Sequence, residues 1–285
     1  MDTSQKFLTK KSLGQHFLNS DVVPSWMCDA AEVTRGDNVL EIGPGTGALT
    51  KELLKRGAKV TALEADQRAL SVLEERFIDA IKEGNLVLIH QDVRHLDLAK
   101  IPGISDQSFK VVANIPYYLS GLLFRTFLES KIQPTLLVYL VQKEVAKRIT
   151  SDLSRGEKES LLSLSVKVYG TPIYVRTVTK GHFTPPPKID SAIILVRNIG
   201  RERLQHVDAQ VFFETLHLGF GQKRKQLLGN LSKQYDREKL THIFSTLSLP
   251  VSTRAEDVPV EIWPQLVALL LSTGPKEVIH TKSTT

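Results

Sequence analysis

The chain has 285 residues, of which 41% are hydrophobic and 24% charged, and its formal net charge is +6. No apolar run is long enough to span a bilayer, and the single cysteine, Cys28, excludes an intrachain disulfide. The composition therefore argues against a membrane-spanning protein or a disulfide scaffold, and it indicates a cytoplasmic protein that binds an anionic partner and no membrane.

The segment Lys10–Asn19 precedes a helix that is predicted to begin near Asp21, with apolar residues on one face. In one interpretation this segment is an entry arm that packs on the domain. In the other, His16 and Leu18 close over a cofactor while the two lysines at the start of the segment meet phosphates. The sequence leaves both interpretations open.

The segment Asn38–Gly47 is predicted to run from a short buried strand through a glycine-rich turn into a helix over Ala48–Arg56. Gly43 and Gly45 allow a tight turn and a close approach of a ligand. Backbone amides at the turn and at the helix N-terminus would then face a nucleotide-like molecule. The motif alone does not distinguish a dinucleotide, S-adenosylmethionine and a purely structural turn.

Strands and helices alternate after the glycine turn. The predicted strands are Lys59–Leu63, Leu86–Ile89, Lys110–Ala113 and Thr135–Val141. Such alternation predicts a parallel sheet whose ligand site lies at the carboxyl ends of its strands, where Gly43, Glu64, Asp92 and Asn114 fall. Glu64 suits the hydroxyls of a ribose and Asp92 suits an adenine amine, although both positions are also typical of helix N-caps.

Two further β-rich runs, Ile173–Thr179 and Ser191–Arg197, bring the total to about seven strands, and the last two are able to pair antiparallel. We therefore predict an α/β fold with a Rossmann-like sheet of seven strands. From Gly200 onward β-rich runs disappear. The helical patterns that follow are Ala209–Leu218, Lys225–Leu231, Glu238–Leu247 and Pro259–Leu271. The predicted division is a sheet domain over residues 1–199 and a small helical domain with a polar tail over residues 200–285.

The segment Asn114–Tyr117 places an amide, backbone carbonyls and a flat aromatic ring directly after a predicted strand. These groups suit a flat base with an exocyclic amine. The adenine amine is a poor nucleophile, because its lone pair is delocalised into the ring. Acceptors at Asn114 and at the Ile115 carbonyl would favour a pyramidal nitrogen whose lone pair points at an electrophilic methyl group. The alternative is an Asx-type turn that opens the next helix.

Phe183 lies in a proline-rich loop between the last two predicted strands. It could stack on an unpaired base from the side opposite Tyr117, or it could be a core residue that anchors the loop. The eight histidines of the chain show no metal-ligand spacing, so we predict no metal site.

Four sequence blocks, in this order, resemble the signature blocks of the ribosomal RNA adenine dimethyltransferase family. They are KSLGQHFL from Lys11, EIGPGTG from Glu41, NIPY from Asn114 and FTPPPKIDSA from Phe183. The resemblance is strong over residues 7–200 and weaker at the helical end. Gly121 is one departure, because relatives often carry proline there, and it leaves the acceptor groups intact.

The resemblance implies a class I methyltransferase sheet, S-adenosylmethionine as methyl donor, and transfer of two methyl groups to each of two adjacent adenines. These adenines lie near the 3′ end of small-subunit ribosomal RNA, so the implied partner is a pre-ribosomal small subunit, and we expect a monomeric enzyme without a metal. The implied donor contacts are His16, Leu18, Gly43, Glu64, Asp92 and Asn114, and the implied residues around the target base are Asn114, Tyr117 and Phe183.

The segment Thr215–Tyr235 contains no acidic residue and carries four basic ones, Lys223, Arg224, Lys225 and Lys233. We expect it to contact RNA, although such runs are often a solvated face. The expected reaction is an in-line displacement at the methyl group by the adenine amine, with loss of the proton to water.

Several other functions remain open from sequence. A large-subunit RNA adenine methyltransferase of the antibiotic-resistance type shares the Asn114 block, and a DNA amine methyltransferase has a similar one. A nicotinamide-dependent dehydrogenase fits the glycine motif alone. A non-catalytic ribosome assembly factor would be expected to have lost Gly43, Glu64 or Asn114, and all three are present.

Overall fold

The structure, a computed structural model, describes residues 16–274. Its strands are β1 (Phe17–Leu18), β2 (Asn38–Ile42), β3 (Lys59–Glu64), β4 (Leu86–His90), β5 (Lys110–Asn114), β6 (Leu136–Gln142), β7 (Thr171–Val178), β8 (Phe183–Thr184) and β9 (Ser191–Arg197). Lys10 and Lys11, which were candidates for phosphate contacts, lie outside the described residues.

Seven of these strands form one sheet, in the order β4-β3-β2-β5-β6-β9-β7. The pairs among the first five are parallel, and β9 runs antiparallel to both β6 and β7. The predicted α/β fold with a seven-stranded sheet is confirmed. Parallel strands that are covered on both faces are apolar along most of their length, and in β6 the five residues from Leu137 to Val141 are all buried.

The helices of the same part of the chain are α1 (Val22–Ala30), α2 (Ala48–Lys55), α3 (Gln67–Arg76), α4 (Ile78–Lys82), α5 (Ser120–Leu128) and α6 (Lys143–Ile149). Met27 and Cys28 of α1 are buried in one hydrophobic cluster with Leu53 of α2 and Val39 of β2. Burial raises the pKa of the Cys28 thiol to about 12, so the thiol stays protonated and packs as a small apolar group. No helix in residues 16–274 is long and apolar enough to cross a membrane.

A two-stranded ribbon lies apart from the main sheet. β1 pairs antiparallel with β8, so that Leu18 lies opposite Phe183. Asn19 extends the contact, because its backbone N–H donates a hydrogen bond to the His182 carbonyl. Phe183, predicted in a loop, therefore occupies a short strand whose partner is more than 160 residues earlier in the sequence.

The chain divides into two compact units. One contains the residues up to Thr150 together with Gly170–Gly200, and the other contains Ser151–Tyr169 together with the residues from Arg201 onward. The helices of the second unit are α7 (Leu161–Lys167), α8 (Ala209–Gly219), α9 (Leu227–Leu231), α10 (Arg237–Thr246) and α11 (Ile262–Thr273). One boundary of these units falls between Gly200 and Arg201, and residues 151–169, which the sequence analysis placed in the sheet domain, lie in the helical unit.

Contacts of Lys167 hold this segment together, and two further hydrogen bonds connect it to the rest of the helical unit. Lys167 Nζ lies 2.5 Å from Glu159 Oε1 and 2.5 Å from the Ser151 carbonyl oxygen. The Lys167 carbonyl accepts a hydrogen bond from Arg203 at 2.5 Å, and the Glu159 backbone N–H donates to the Glu256 carbonyl at 2.9 Å. Two of these contacts join positions far apart in sequence, which no local pattern predicts.

The buried ion pair provides a test of this packing. The side chains of Lys167 and Glu159 are 13% and 4% exposed. In Glu159→Ala the lysine would remain as an uncompensated buried charge, and we expect the free energy of unfolding to fall by about 3–5 kcal/mol in urea denaturation. The matched control is Arg125→Ala, which breaks the more exposed pair with Glu129 and should cost less than about 1 kcal/mol. Equal losses in the two variants would contradict the importance of burial.

Candidate active site

A cleft of about 460 Å³ opens at the carboxyl edge of the parallel strands. Its volume lies in the range typical of small-molecule sites. The residues predicted to contact the donor or the target base all line it: His16, Leu18, Gly43, Glu64, Asp92, Asn114, Tyr117 and Phe183. In the part of the chain that the structure describes, no group of three or more metal-binding side chains is placed to hold a metal ion.

The glycine-rich turn between β2 and α2 forms one wall of the cleft. Gly45 and Gly47 have φ angles of 56° and 81°, in the left-handed region that favours glycine. A Cβ atom at Gly45 would come within 3.0 Å of the Phe17 ring, and one at Gly47 would come within 2.5 Å of the Phe77 ring. Both positions therefore require glycine, for backbone conformation and for close packing.

Glu64, the last residue of β3, is 4% exposed. Its carboxylate accepts hydrogen bonds from the backbone N–H groups of Gly45 at 3.1 Å and of Ala65 and Asp66 at 2.9 Å each. The N-cap of α3 is Asp66, which accepts from the Arg68 N–H, so Glu64 is not the helix cap that sequence left open. A carboxylate has about four acceptor sites, and these three amides leave capacity for one more donor.

Asp92 follows β4 and does act as an N-cap. It accepts from the Arg94 backbone N–H at 2.9 Å and caps the short 3₁₀ turn Val93–His95. Arg94 Nη2 also lies 2.6 Å from Asp92 Oδ2, and its hydrogen bonds hold the pKa of Asp92 below the ordinary value. Sequence reasoning did not single out Arg94, because nothing in the pattern distinguishes it from other exposed arginines.

Asn114, the last residue of β5, donates from Nδ2 to the His16 carbonyl oxygen at 3.3 Å. This bond fixes the amide orientation and leaves Oδ1 as the acceptor. An Asx-type turn would require a donated backbone N–H two residues further on, where Pro116 has none. Asn114 therefore does not form the local turn that was the structural alternative.

The two aromatic residues differ in exposure and partners. The Tyr117 hydroxyl lies 2.7 Å from Ser191 Oγ, and its ring centroid is 5.9 Å from that of His16. Burial raises the pKa of Tyr117 above the ordinary value, so its hydroxyl stays protonated. Phe183 is 3% exposed and belongs to the hydrophobic cluster, yet it also lines the cleft. The core and stacking interpretations of Phe183 are thus compatible.

The ribbon residues join the two sides of the cleft. His16 Nδ1 lies 2.7 Å from the Pro185 carbonyl oxygen, and because a carbonyl only accepts, Nδ1 carries the proton. Leu18 packs against the cluster that contains Phe183. The described part of this segment fits both the entry-arm and the cofactor-cover interpretation, since residues 16–18 line the cleft and Leu18 also packs on the hydrophobic cluster.

Glu41 is a buried carboxyl group at the site. The sequence analysis quoted it as part of the glycine motif but gave it no role. It is 1% exposed and accepts a 2.7 Å hydrogen bond from Thr50 Oγ1. Burial, with a smaller contribution from the charge of Glu64, raises its pKa to about 8. The burial of Glu41 could have been predicted from its position between Leu40 and Ile42, in a strand predicted to be covered on both faces.

Comparison of the amino-acid sequence with known proteins identifies the family of this chain. The family profile described as "Ribosomal RNA adenine dimethylase" matches residues 6–271. The chain belongs to the ribosomal RNA adenine dimethylase family. A relative from Dehalococcoides mccartyi strain CBDB1, named ribosomal RNA small subunit methyltransferase A, is 39% identical over 261 residues, which cover 90% of this chain and 87% of the relative. The family inferred from the four sequence blocks is thereby confirmed.

Solved structures share the fold of this rRNA adenine dimethylase. A dimethyladenosine transferase from Plasmodium falciparum has a TM-score of 0.76 and 24% identity, covering 91% of this chain and 99% of that chain. The 23S rRNA methyltransferase ErmE has a TM-score of 0.68 and 23% identity, with 89% and 99% coverage. At such identities the likeness confirms the fold and does not distinguish between RNA substrates.

The raised pKa of Glu41 predicts a pH-dependent stability. Between the ordinary value of 4.5 and about 8 the folded protein holds a proton that the unfolded chain has lost. This contribution is fully present below pH 4.5 and is lost as pH rises towards 8, by about 1.4 kcal/mol per pH unit at most. Urea denaturation from pH 5.5 to 8 should show this loss in the wild type and not in Glu41→Gln. Glu75→Gln, an exposed change on α3, is the control, and a slope that survives in Glu41→Gln would refute the assignment.

Proposed function

We propose that this rRNA adenine dimethylase transfers methyl groups from S-adenosylmethionine to two adjacent adenines near the 3′ end of small-subunit ribosomal RNA, two to each exocyclic amine. The observation that carries the proposal is the Asn114 amide, whose Oδ1 remains an acceptor in the cleft because Nδ2 is bound to His16. The name of the Dehalococcoides mccartyi relative supports the small subunit as substrate.

The cleft fits the proposed methyl donor. S-adenosylmethionine, when bound, supplies an electrophilic methyl carbon on a sulfonium centre. Glu64 retains acceptor capacity for a ribose hydroxyl, and Asp92 faces the same space for an adenine amine. The turn at Gly43 would admit the donor close to the backbone, and His16 and Leu18 would cover it. Fixed backbone amides, rather than mobile side chains, hold the Glu64 carboxylate in place.

The target adenine would be held by acceptors and by aromatic rings. Asn114 Oδ1 and the Ile115 carbonyl would accept the two amine hydrogens, which directs the nitrogen lone pair towards the methyl carbon. Tyr117 and Phe183 would contact the faces of the base. After transfer the nitrogen is strongly acidic, so water suffices to take the proton. For the second transfer the same acceptors must admit a monomethyl amine.

RNA outside the target base would contact the helical unit. Lys223, Arg224, Lys225 and Lys233 are all exposed, and none of the ion pairs in residues 16–274 involves them. We assign them to phosphates of the RNA in a pre-ribosomal small subunit. The protein would act there as a cytoplasmic monomer, and its single cysteine fits a reducing compartment.

The Asn114 assignment predicts a selective loss of turnover. In Asn114→Ala the acceptor that orients the amine is absent, so the rate of methyl transfer to unmodified small subunits should fall at least about 100-fold. Donor binding in calorimetry and RNA binding should largely persist, because other residues supply those contacts. Asn38→Ala is the control for folding. Asn38 is the first residue of β2 and does not line the cleft, so this variant should keep full activity. Unchanged turnover in Asn114→Ala would refute the role, and mapping of the labelled base would identify the substrate.

The basic residues predict a change in salt dependence. Each phosphate contact contributes about 0.7 (single strand) to 0.9 (duplex) to the slope of log binding constant against log salt concentration. The triple variant Lys223→Ala, Arg224→Ala and Lys225→Ala should therefore lower that slope by about 2–3 for small-subunit RNA. Replacing the exposed lysines at positions 55, 59 and 82 by alanine changes the net charge equally and should leave the slope intact. Equal effects of the two triple variants would point to net charge alone.

A further inference from the structure

Tyr118 has the most exposed large hydrophobic side chain among the residues that the structure describes, at 66%. It follows Tyr117 in a 3₁₀ turn, Tyr117–Leu119, and it lines the same cleft as the site residues. An exposed aromatic ring at a binding site is available for contact with a ligand, because covering it removes a large apolar area from water.

Packing does not account for this ring. The structure gives the Tyr117 side chain a hydrogen bond and a ring neighbour, and for Tyr118 it gives neither within residues 16–274. One turn later Leu122 is also exposed, at 37%, and between them Gly121 has open space where a Cβ atom would stand. Tyr118, which lines the cleft, and Leu122, four residues later, are thus both apolar residues left exposed to solvent.

An arginine lines the same cleft as Tyr118. The side chain of this residue, Arg94, is 63% exposed. Its guanidinium is hydrogen-bonded to Asp92. An exposed aromatic ring next to an arginine is the combination with which proteins hold single-stranded nucleic acid, through stacking on the base and attraction of the phosphate.

We propose that Tyr118 is the stacking platform for the nucleotide next to the target adenine, with Arg94 facing the phosphate of that nucleotide. The inference rests on the proposed function, because its ligand is the RNA substrate. When one base leaves the RNA stack to enter the cleft, its neighbour loses a stacking partner. The exposed ring replaces that partner and makes Tyr118 a positioning residue for RNA.

The test compares Tyr118→Ala with Tyr118→Phe in steady-state methyl transfer to unmodified small ribosomal subunits. Loss of the ring should raise the KM for subunits about 5- to 150-fold, the equivalent of about 1–3 kcal/mol for one base stacked on an aromatic ring. Tyr118→Phe retains the ring and should stay within about 2-fold of the wild type. The dissociation constant of S-adenosylmethionine, measured by calorimetry, should be unchanged in both variants.

Ile78→Ala is the control, because Ile78 is 49% exposed in the same unit and does not line the cleft. Three results would overturn the inference while wild-type transfer stands: a wild-type KM in Tyr118→Ala, an equal defect in Tyr118→Phe, or a weakened donor affinity that accounts for the defect. If the wild-type protein transfers no methyl group to small subunits, the proposed function fails and the inference fails with it.

Discussion

Parallel, in-register pairing of β3, β2 and β5 is the constraint on which the site depends. Because β2 lies between the other two strands, the glycine turn, Glu64 and Asn114 all leave the sheet at one edge. A slip of one residue in either pair would turn the end residue of a strand to the opposite face of the sheet. The buried residues of β2 and β5 prevent such a slip, since both faces of these strands are covered. Hydrophobic burial within the strands thus fixes the polar groups at their carboxyl ends.

The short segment before α1 connects parts of the cleft that the sheet alone would leave separate. His16 accepts the hydrogen bond that orients Asn114, and the Phe17 ring packs over Gly45. Leu18 pairs with Phe183 in the ribbon. Three consecutive residues therefore contact the glycine turn, the Asn114 amide and Phe183. Any displacement of this segment would change all three contacts together, which couples the geometry of the donor side to that of the base side.

Sequence patterns located those parts of the candidate site that a short stretch of consecutive residues forms by itself. The glycine turn and Asn114 could be found because each follows an apolar run of strand length and carries groups that a plain strand–helix connection does not need. The burial of Glu41 depends on Thr50 in the next helix and on the cover of both sheet faces, which the sequence implies only indirectly. Residues 151–169 are connected to the rest of the helical unit by hydrogen bonds from Arg203 to the Lys167 carbonyl and from the Glu159 N–H to the Glu256 carbonyl. Such contacts lie beyond the reach of periodicity, because they join residues whose proximity only the complete fold creates.

The charges of the cleft are arranged so that the acceptor at the proposed reacting end does not titrate. Glu64 is held by backbone amides, whereas Glu41 has a single hydroxyl donor, and burial raises its pKa. Asn114, by contrast, presents a neutral amide oxygen whose orientation is set by another hydrogen bond. A carboxylate at that position would change its charge with pH and would attract the proton that the adenine amine must release. Tyr117 stays protonated beside it, because burial raises its pKa by more than the hydrogen bond with Ser191 lowers it. Placement of the amine, rather than proton transfer to a side chain, is therefore what this arrangement can contribute to the reaction.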